Sequence, residues 1–301
     1  MSLNRTFVFP LLVVLYTAWV YFLIGFRPDH YLLLFILVLA YYAHPKTRRL
    51  VYALAPFVAY WWLYDSIRIC PNYKLQNVHI AAPYLLEKYF FGIATPQGTL
   101  IPCEYFERHH WAVMDVIGGL IYLNFLTIPL IYAAYLWWIN KQYFVKYALG
   151  FLLICLVGFV IYYLYPAAPP WYVQLYGFDF CTPICGSAAG LARFDEVLGT
   201  NIFAGMYGLS PNIFGAMPSL HSAYPVLFCL YAWQFKQKRL YPFGVAFMFG
   251  TWFTAVYSGH HYIIDAIAGI FTAIAVYLFA EKIFYKQPTI QKYLKIYADS
   301  I

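Results

Sequence analysis

Val256-Tyr-Ser-Gly-His-His-Tyr-Ile-Ile-Asp265 stands where one long apolar run gives way to the next, and Met217-Pro-Ser-Leu-His-Ser-Ala223 opens another. The separation of His221 from His261 is about one helix across a bilayer, a turn, and one helix back. Both histidines are therefore expected at the same membrane face. His261 and Asp265 are four positions apart, so on a helix they share one side, where the carboxylate can hold the imidazole. Ser219 follows Pro218 at an expected first helical turn, where free N–H groups and the helix dipole favour an anion. Two histidines, an orienting carboxylate and an anion cradle point to phosphoryl chemistry.

Outward from these stretches the chain keeps the same apolar character. Of its 301 residues 63% are hydrophobic and 23% aromatic, while only 10% are charged, which excludes a soluble domain. Apolar runs of membrane-crossing length predict an all-α, polytopic membrane bundle of about eight transmembrane helices, roughly 7–26, 31–43, 50–66, 112–138, 145–165, 218–235, 241–258 and 261–283. Three N-terminal helices (1–66) precede an outer-face region (67–111). A catalytic core (112–285), with its own outer-face loop (166–217), and a tail (286–301) follow. The chain does not open on a charged segment, a short apolar core and a small-residue cleavage site, so no cleaved signal peptide is expected.

The formal charge of +7 is mainly topological. Arg5, Lys46, Arg48, Arg49, Lys141, Lys146, Lys236, Lys238, Arg239, Lys282, Lys286, Lys292 and Lys295 fall in one set of alternate loops. Arg27, Arg68, Lys74, Lys88, Arg108 and Arg193, with most of the acids, fall in the other. By the positive-inside rule both termini are cytoplasmic, and the histidines face the periplasm or a lumen. A nucleic-acid partner has no support. A transporter would want repeated halves with broken mid-membrane segments, and no internal repeat is visible.

Four of the six cysteines, Cys70, Cys103, Cys181 and Cys185, lie on the outer side, where a Cys181–Cys185 disulfide, or one from either to Cys103, competes with free thiols. Cys181-x-x-x-Cys185 lacks the paired second half of a zinc site, so no metal is expected. His260 either contacts a lipid phosphate or is structural. Asp115 either lines the cavity or is a helix-start carboxylate favoured by the dipole. Trp171 and Tyr172 either cover the outer mouth of the site, with Tyr172 against substrate, or anchor their loop at the membrane surface.

Pro218-Ser-Leu-His221 resembles the second signature of the type 2 phosphatidic acid phosphatase superfamily. Tyr257-x-Gly-x-His261-Tyr-x-x-Asp265, with Ala268-Gly269, resembles the third. The doubled His260-His261 and Tyr165-Pro-Ala-Ala-Pro-Pro-Trp-Tyr172 are similar to the inositol phosphorylceramide synthase branch, in a compact bacterial-type form. The resemblance spans about residues 110 to 285. It implies a six-helix catalytic core, with His261 as nucleophile, His221 as acid and base, and Asp265 as orienter. Ser219, His260 and Tyr172 would bind substrate, and no cofactor is implied. The phosphatases carry cations where this chain has Gly158, Tyr165 and Ala255. Their loss favours a phosphodiester, with one charge, over a phosphomonoester with nearly two. The resemblance thus implies transfer of phosphoinositol from a phospholipid donor to a ceramide-like acceptor through a phosphohistidine. A lipid phosphatase acting on phosphatidic acid or a prenyl pyrophosphate, and a sphingomyelin synthase-like transferase of another head group, remain the alternatives.

Overall fold

The computed structural model describes residues 5–301. Among them the strands are confined to a short antiparallel hairpin, β1 (Ile93–Thr95) and β2 (Gly98–Leu100), and the architecture is otherwise helical, as the apolar runs predict. An N-terminal trio comprises α1 (Arg5–Trp19), which runs into a π turn at Val20–Ile24, α2 (Pro28–Ala43) and α3 (Pro45–Ser66). Two short outer helices, α4 (Ala81–Phe91) and α5 (Pro102–Arg108), flank the hairpin. Next come α6 (Ala112–Leu123), α7 (Thr127–Ile139) and α8 (Lys141–Leu164). The second outer segment holds α9 (Pro170–Tyr176), α10 (Ala192–Leu198) and α11 (Ile202–Gly208). The chain closes with α12 (Leu220–Gln234), α13 (Leu240–Tyr257), α14 (Ile263–Lys282) and α15 (Pro288–Ser300).

The core forms around α8, which packs on α3, α7, α12, α14 and α15, while α12 is held between α13 and α14. Phe144, Tyr147, Phe151, Ile154 and Tyr162 of α8 are all buried, as expected of a helix that is apolar all round. Two glycines set the approach of the helices to α12. A side chain at Gly158 would press on Leu220, and one at Gly269 would run into the backbone of Ser219. The first turn of α12 is thereby seated closely between α8 and α14.

Among the described residues α8, α13 and α14 are long and apolar enough to cross a membrane, and the α6–α7 pair qualifies if its two bent parts count as one span. The chain is accordingly an integral membrane protein. The expected span over 112–138 is bent: α6 and α7 meet at 42°. Asn124 explains the break, because its side-chain amide donates to the Leu120 carbonyl (2.8 Å) and competes with the backbone there. Pro129, lacking an N–H, then sits in the first turn of α7, where no donor is needed.

The segments 67–111 and 166–217 are joined to each other through backbone pairing. His79 N donates to Pro166 O (2.8 Å), Ala168 N to His79 O (3.0 Å) and Ala167 N to Phe214 O (3.0 Å). The side-chain amide of Asn72 adds bonds to Tyr162 O (2.8 Å) and Phe214 O (2.9 Å). All six cysteines are free, so none of the expected disulfide pairings is made; Cys103 is buried with its thiol toward the His261 carbonyl (3.4 Å).

Candidate active site

The chain turns sharply between α13 and α14, helped by Gly259 at φ +72°, a conformation that costs glycine little. This turn carries His260 and His261. His261 Nε2 lies 3.0 Å from Nδ1 of His221, in the first turn of α12. One of the two nitrogens must carry the proton of that contact. His261 Nδ1 is 3.6 Å from Asp265 Oδ2, within ion-pair range but longer than a good hydrogen bond. The helical reason given for this neighbourhood is corrected. His261 precedes α14, which starts at Ile263, and the two side chains meet because Asp265 folds back to accept from the Tyr262 N–H (3.0 Å) as a helix cap.

Ser219 caps α12, its hydroxyl accepting from Ser222 N (3.2 Å) and its own N–H donating to the Asp265 carbonyl (3.0 Å). The two helix starts are thereby tied to each other. Other segments hold the turn itself: Trp171 N donates to Gly259 O (3.1 Å) and Gly190 N to Ser258 O (2.8 Å).

Sequence reasoning missed Glu87. This wholly buried carboxylate on α4 accepts from Ile263 N (2.9 Å) and Ile264 N (3.2 Å), two of the N–H groups that a helix start leaves without partners. Nothing near it in sequence marks it, since its partners lie 176 residues away. Burial, with a smaller push from the charge of Asp265, raises its carboxyl to about 7, although the two N–H bonds pull the other way. The folded chain thus holds this proton more tightly than the unfolded chain does. The stability that the protonated form contributes is full below the ordinary value of 4.5 and is lost as pH rises through about 7. In detergent, the melting temperature of wild type relative to Glu87→Gln should therefore fall between about pH 5 and pH 8. A difference that stays constant with pH would contradict this.

His221, His260 and His261 line one cavity of about 720 Å³, whose walls include Phe125, Leu220, Tyr224 and Trp171. His260 is buried there, but its Nε2–H is spent on the Ala188 carbonyl (2.9 Å) and its ring stacks on Tyr207 (4.2 Å). Burial first, then the neighbouring His261, pushes it down to about 3, which keeps it neutral. Two of the residues expected at the substrate stand apart from the cavity lining. Ser219 does not line the cavity and spends its hydroxyl as a cap. Tyr172 lies behind the wall, its hydroxyl donating to Asp179 O (2.7 Å) and accepting from Cys181 N (2.8 Å), while Trp171 takes the lining position.

Asp115 is likewise outside the cavity. It accepts from Arg193 Nε (2.8 Å) and the Tyr257 hydroxyl (2.8 Å), and Arg193 also reaches Glu107 (2.7 Å). This buried network ties α10 to α6 and α13, and Ala188, which receives His260, lies just before α10. Among the described residues no group of His, Cys, Asp and Glu is arranged to hold a metal ion.

The profile of the PAP2 superfamily matches residues 101–279. A phosphoinositol dihydroceramide synthase of Bacteroides thetaiotaomicron is 42% identical over 261 residues, covering 86% of this chain and 85% of that protein. The inositol phosphorylceramide synthase catalytic subunit of Schizosaccharomyces pombe is 36% identical over 129 residues, 42% of this chain and 30% of that protein. Its counterpart in Saccharomyces cerevisiae is 38% identical over 115 residues, 38% of this chain and 28% of that protein. No solved structure matches the chain. With its paired histidines at the starts of two neighbouring helices and this span of similarity, the chain belongs to the PAP2 superfamily, in the branch similar to the inositol phosphorylceramide synthases.

Proposed function

We propose that the chain moves phosphoinositol from phosphatidylinositol to ceramide or dihydroceramide, releasing diacylglycerol. The observation that carries this reading is His221 Nδ1 at 3.0 Å from His261 Nε2, both facing one cavity. The named activities of the relatives agree with it.

Asp265 holds the proton on His261 Nδ1, which leaves the Nε2 lone pair free to attack phosphorus. As the N–P bond forms, the P–O bond to diacylglycerol breaks, and His221, entering this step as its imidazolium, gives the Nδ1 proton to the departing oxygen and is left neutral. His261 then carries the phosphoinositol group as an imidazolium whose charge Asp265 balances. In the second half His221 takes the proton from the primary hydroxyl of ceramide, that oxygen attacks phosphorus, and the P–N bond breaks. The 3.0 Å contact belongs to the resting site, because a phosphorus atom between the two nitrogens requires the rings to part.

Preference for a diester follows from the sites where a phosphatase has cations. Gly158 is packed on Leu220, and Ala255 is fully buried among Tyr122 and Phe194. Tyr165 stacks on His79 at 3.9 Å. The lining cations Arg27 and Arg68 are both paired with Asp65. A second negative charge on the substrate would find no free cation here.

The proposal includes eight crossings, the site on the extracytoplasmic side and both termini in the cytoplasm. The α12 helix alone is too short to cross, at 15 residues or about 22 Å, so the approach to it forms part of the crossing. The division into an N-terminal trio, outer segments, catalytic core and tail belongs to the same reading. In a background with the outer cysteines replaced by serine, Lys238→Cys should react with an impermeant thiol reagent only from the cytoplasmic side, and Gln174→Cys only from outside. Reversed labelling would overturn the orientation.

The activity is tested with purified chain, inositol-labelled phosphatidylinositol and ceramide. Labelled phosphorylceramide should form only when both lipids are supplied. Release of phosphate from phosphatidic acid without any transfer product would favour a phosphatase.

A further inference from the structure

The cavity has two chemically unlike ends. The histidines occupy one. At the other, where α2 begins and α3 ends, the wall is made by Arg27, Asp29, Asp65 and Arg68. Arg27 grips Asp29 at two points (3.1 and 2.9 Å) and reaches Asp65 (3.0 Å), which also accepts from Arg68 Nε (2.8 Å). Two guanidinium groups and two carboxylates balance, so this end offers many donors and acceptors but no net charge. A short stretch of chain joins the two ends. Tyr207 stacks on His260, Arg68 donates to the Leu209 carbonyl, and the Tyr64 hydroxyl meets Ser210 Oγ (3.4 Å).

On that stretch lies Asn212, which lines the cavity. Both atoms of its side-chain amide are buried and have no hydrogen-bond partner. An unpaired buried amide is costly and calls for a ligand group that donates and accepts at once.

Head groups differ in what such a wall can satisfy. A quaternary ammonium or an ammonium seeks carboxylates that are not already neutralised, or an aromatic cage. An anionic group seeks a spare guanidinium. Here each carboxylate is held by arginine and each arginine by a carboxylate, so a primary ammonium or an anion finds no free partner at this rim. Vicinal hydroxyls on an uncharged ring suit both the balanced cluster and the free amide.

We infer that this end of the cavity is a polyol subsite, in which Asn212, Asp29 and Arg68 bind the hydroxyls of a cyclic, uncharged head group. All four charged residues of this rim precede residues 101–279, whereas Asn212 lies within them, so the subsite joins the N-terminal helices to the superfamily's shared region. The inference rests on the proposed transferase reading and assigns residues to its donor specificity.

The test measures steady-state transfer to a fluorescent ceramide from phosphatidylinositol, phosphatidylcholine and phosphatidylethanolamine, using the purified full chain. Wild type should prefer phosphatidylinositol. Asn212→Ala and Asp29→Asn should each raise KM for phosphatidylinositol about 10-fold or more, the effect of a lost hydrogen-bonded pair, and weaken inhibition by the diester glycerophosphoinositol by a similar factor. KM for ceramide should stay within about twofold. Should Asn212→Ala fail to fold, the partly exposed Asp29 still provides the test. An unchanged KM for phosphatidylinositol, or an equal rise for ceramide, overturns the subsite while leaving the transferase intact. A wild-type protein that makes no phosphorylceramide from phosphatidylinositol overturns the transferase reading itself.

Discussion

Transfer by His261→Ala protein is expected to fall by at least about 10⁴-fold, with no covalent intermediate. No other side chain is placed to take over. His260 is anchored to Ala188, and among the described residues His221 forms no ion pair with a carboxylate that would fix its tautomer. His221→Ala should abolish steady turnover too, but a donor with a good leaving group needs no acid, so a single burst of phosphoenzyme should survive. A His261→Ala rate within about tenfold of wild type would remove the nucleophile assignment. Fluorescence-detected gel filtration would confirm that both variants fold.

Asp265→Asn should lower the transfer rate by about 10²- to 10⁴-fold while leaving the fold intact, as for other carboxylates that orient a histidine. Its Oδ2 serves the Tyr262 N–H, and Asn can keep that cap through its own oxygen. The resting 3.6 Å gap to His261 Nδ1 and the unpartnered Oδ1 leave room for the carboxylate and ring to close on each other as charge develops. An amide supplies no charge to that closing contact. A rate loss below about threefold, measured at saturating lipid, would mean that Asp265 is a helix cap and nothing more.

The sequence made the centre of the site legible because its residues lie in short motifs at helix starts. The spacing of His221 and His261 was enough to bring them together, and the 3.0 Å contact is its consequence. The relation of His261 to Asp265 was read correctly as neighbourhood and wrongly as helix geometry, since α14 starts two residues late. Ser219 and Tyr172 were legible as local features but not as spent hydrogen-bonding groups, because their partners depend on how loops fold back. Glu87 illustrates what no local pattern carries. A single acid on an outer helix gains its role only when tertiary packing sets it against the bare N–H groups of a distant helix. The bend at Asn124 was hidden for the opposite reason: apolar content runs straight through it, and only one side-chain bond marks the break.

The Arg193–Asp115 pair belongs with these long-range features. Arg193 is a lone cation in a loop by sequence, yet its pairing is what fixes α10 beside the turn that bears the histidines. Such buried pairs are costly to break from one side.

The phosphohistidine is tested most directly by a single-turnover experiment with phosphatidylinositol and no acceptor, quenched in base and mapped by mass spectrometry. An acid-labile inositol phosphate adduct is expected on His261, retained until ceramide is added and then chased into inositol phosphorylceramide. Transfer to ceramide with no adduct on His261, or an adduct on another residue, would contradict it.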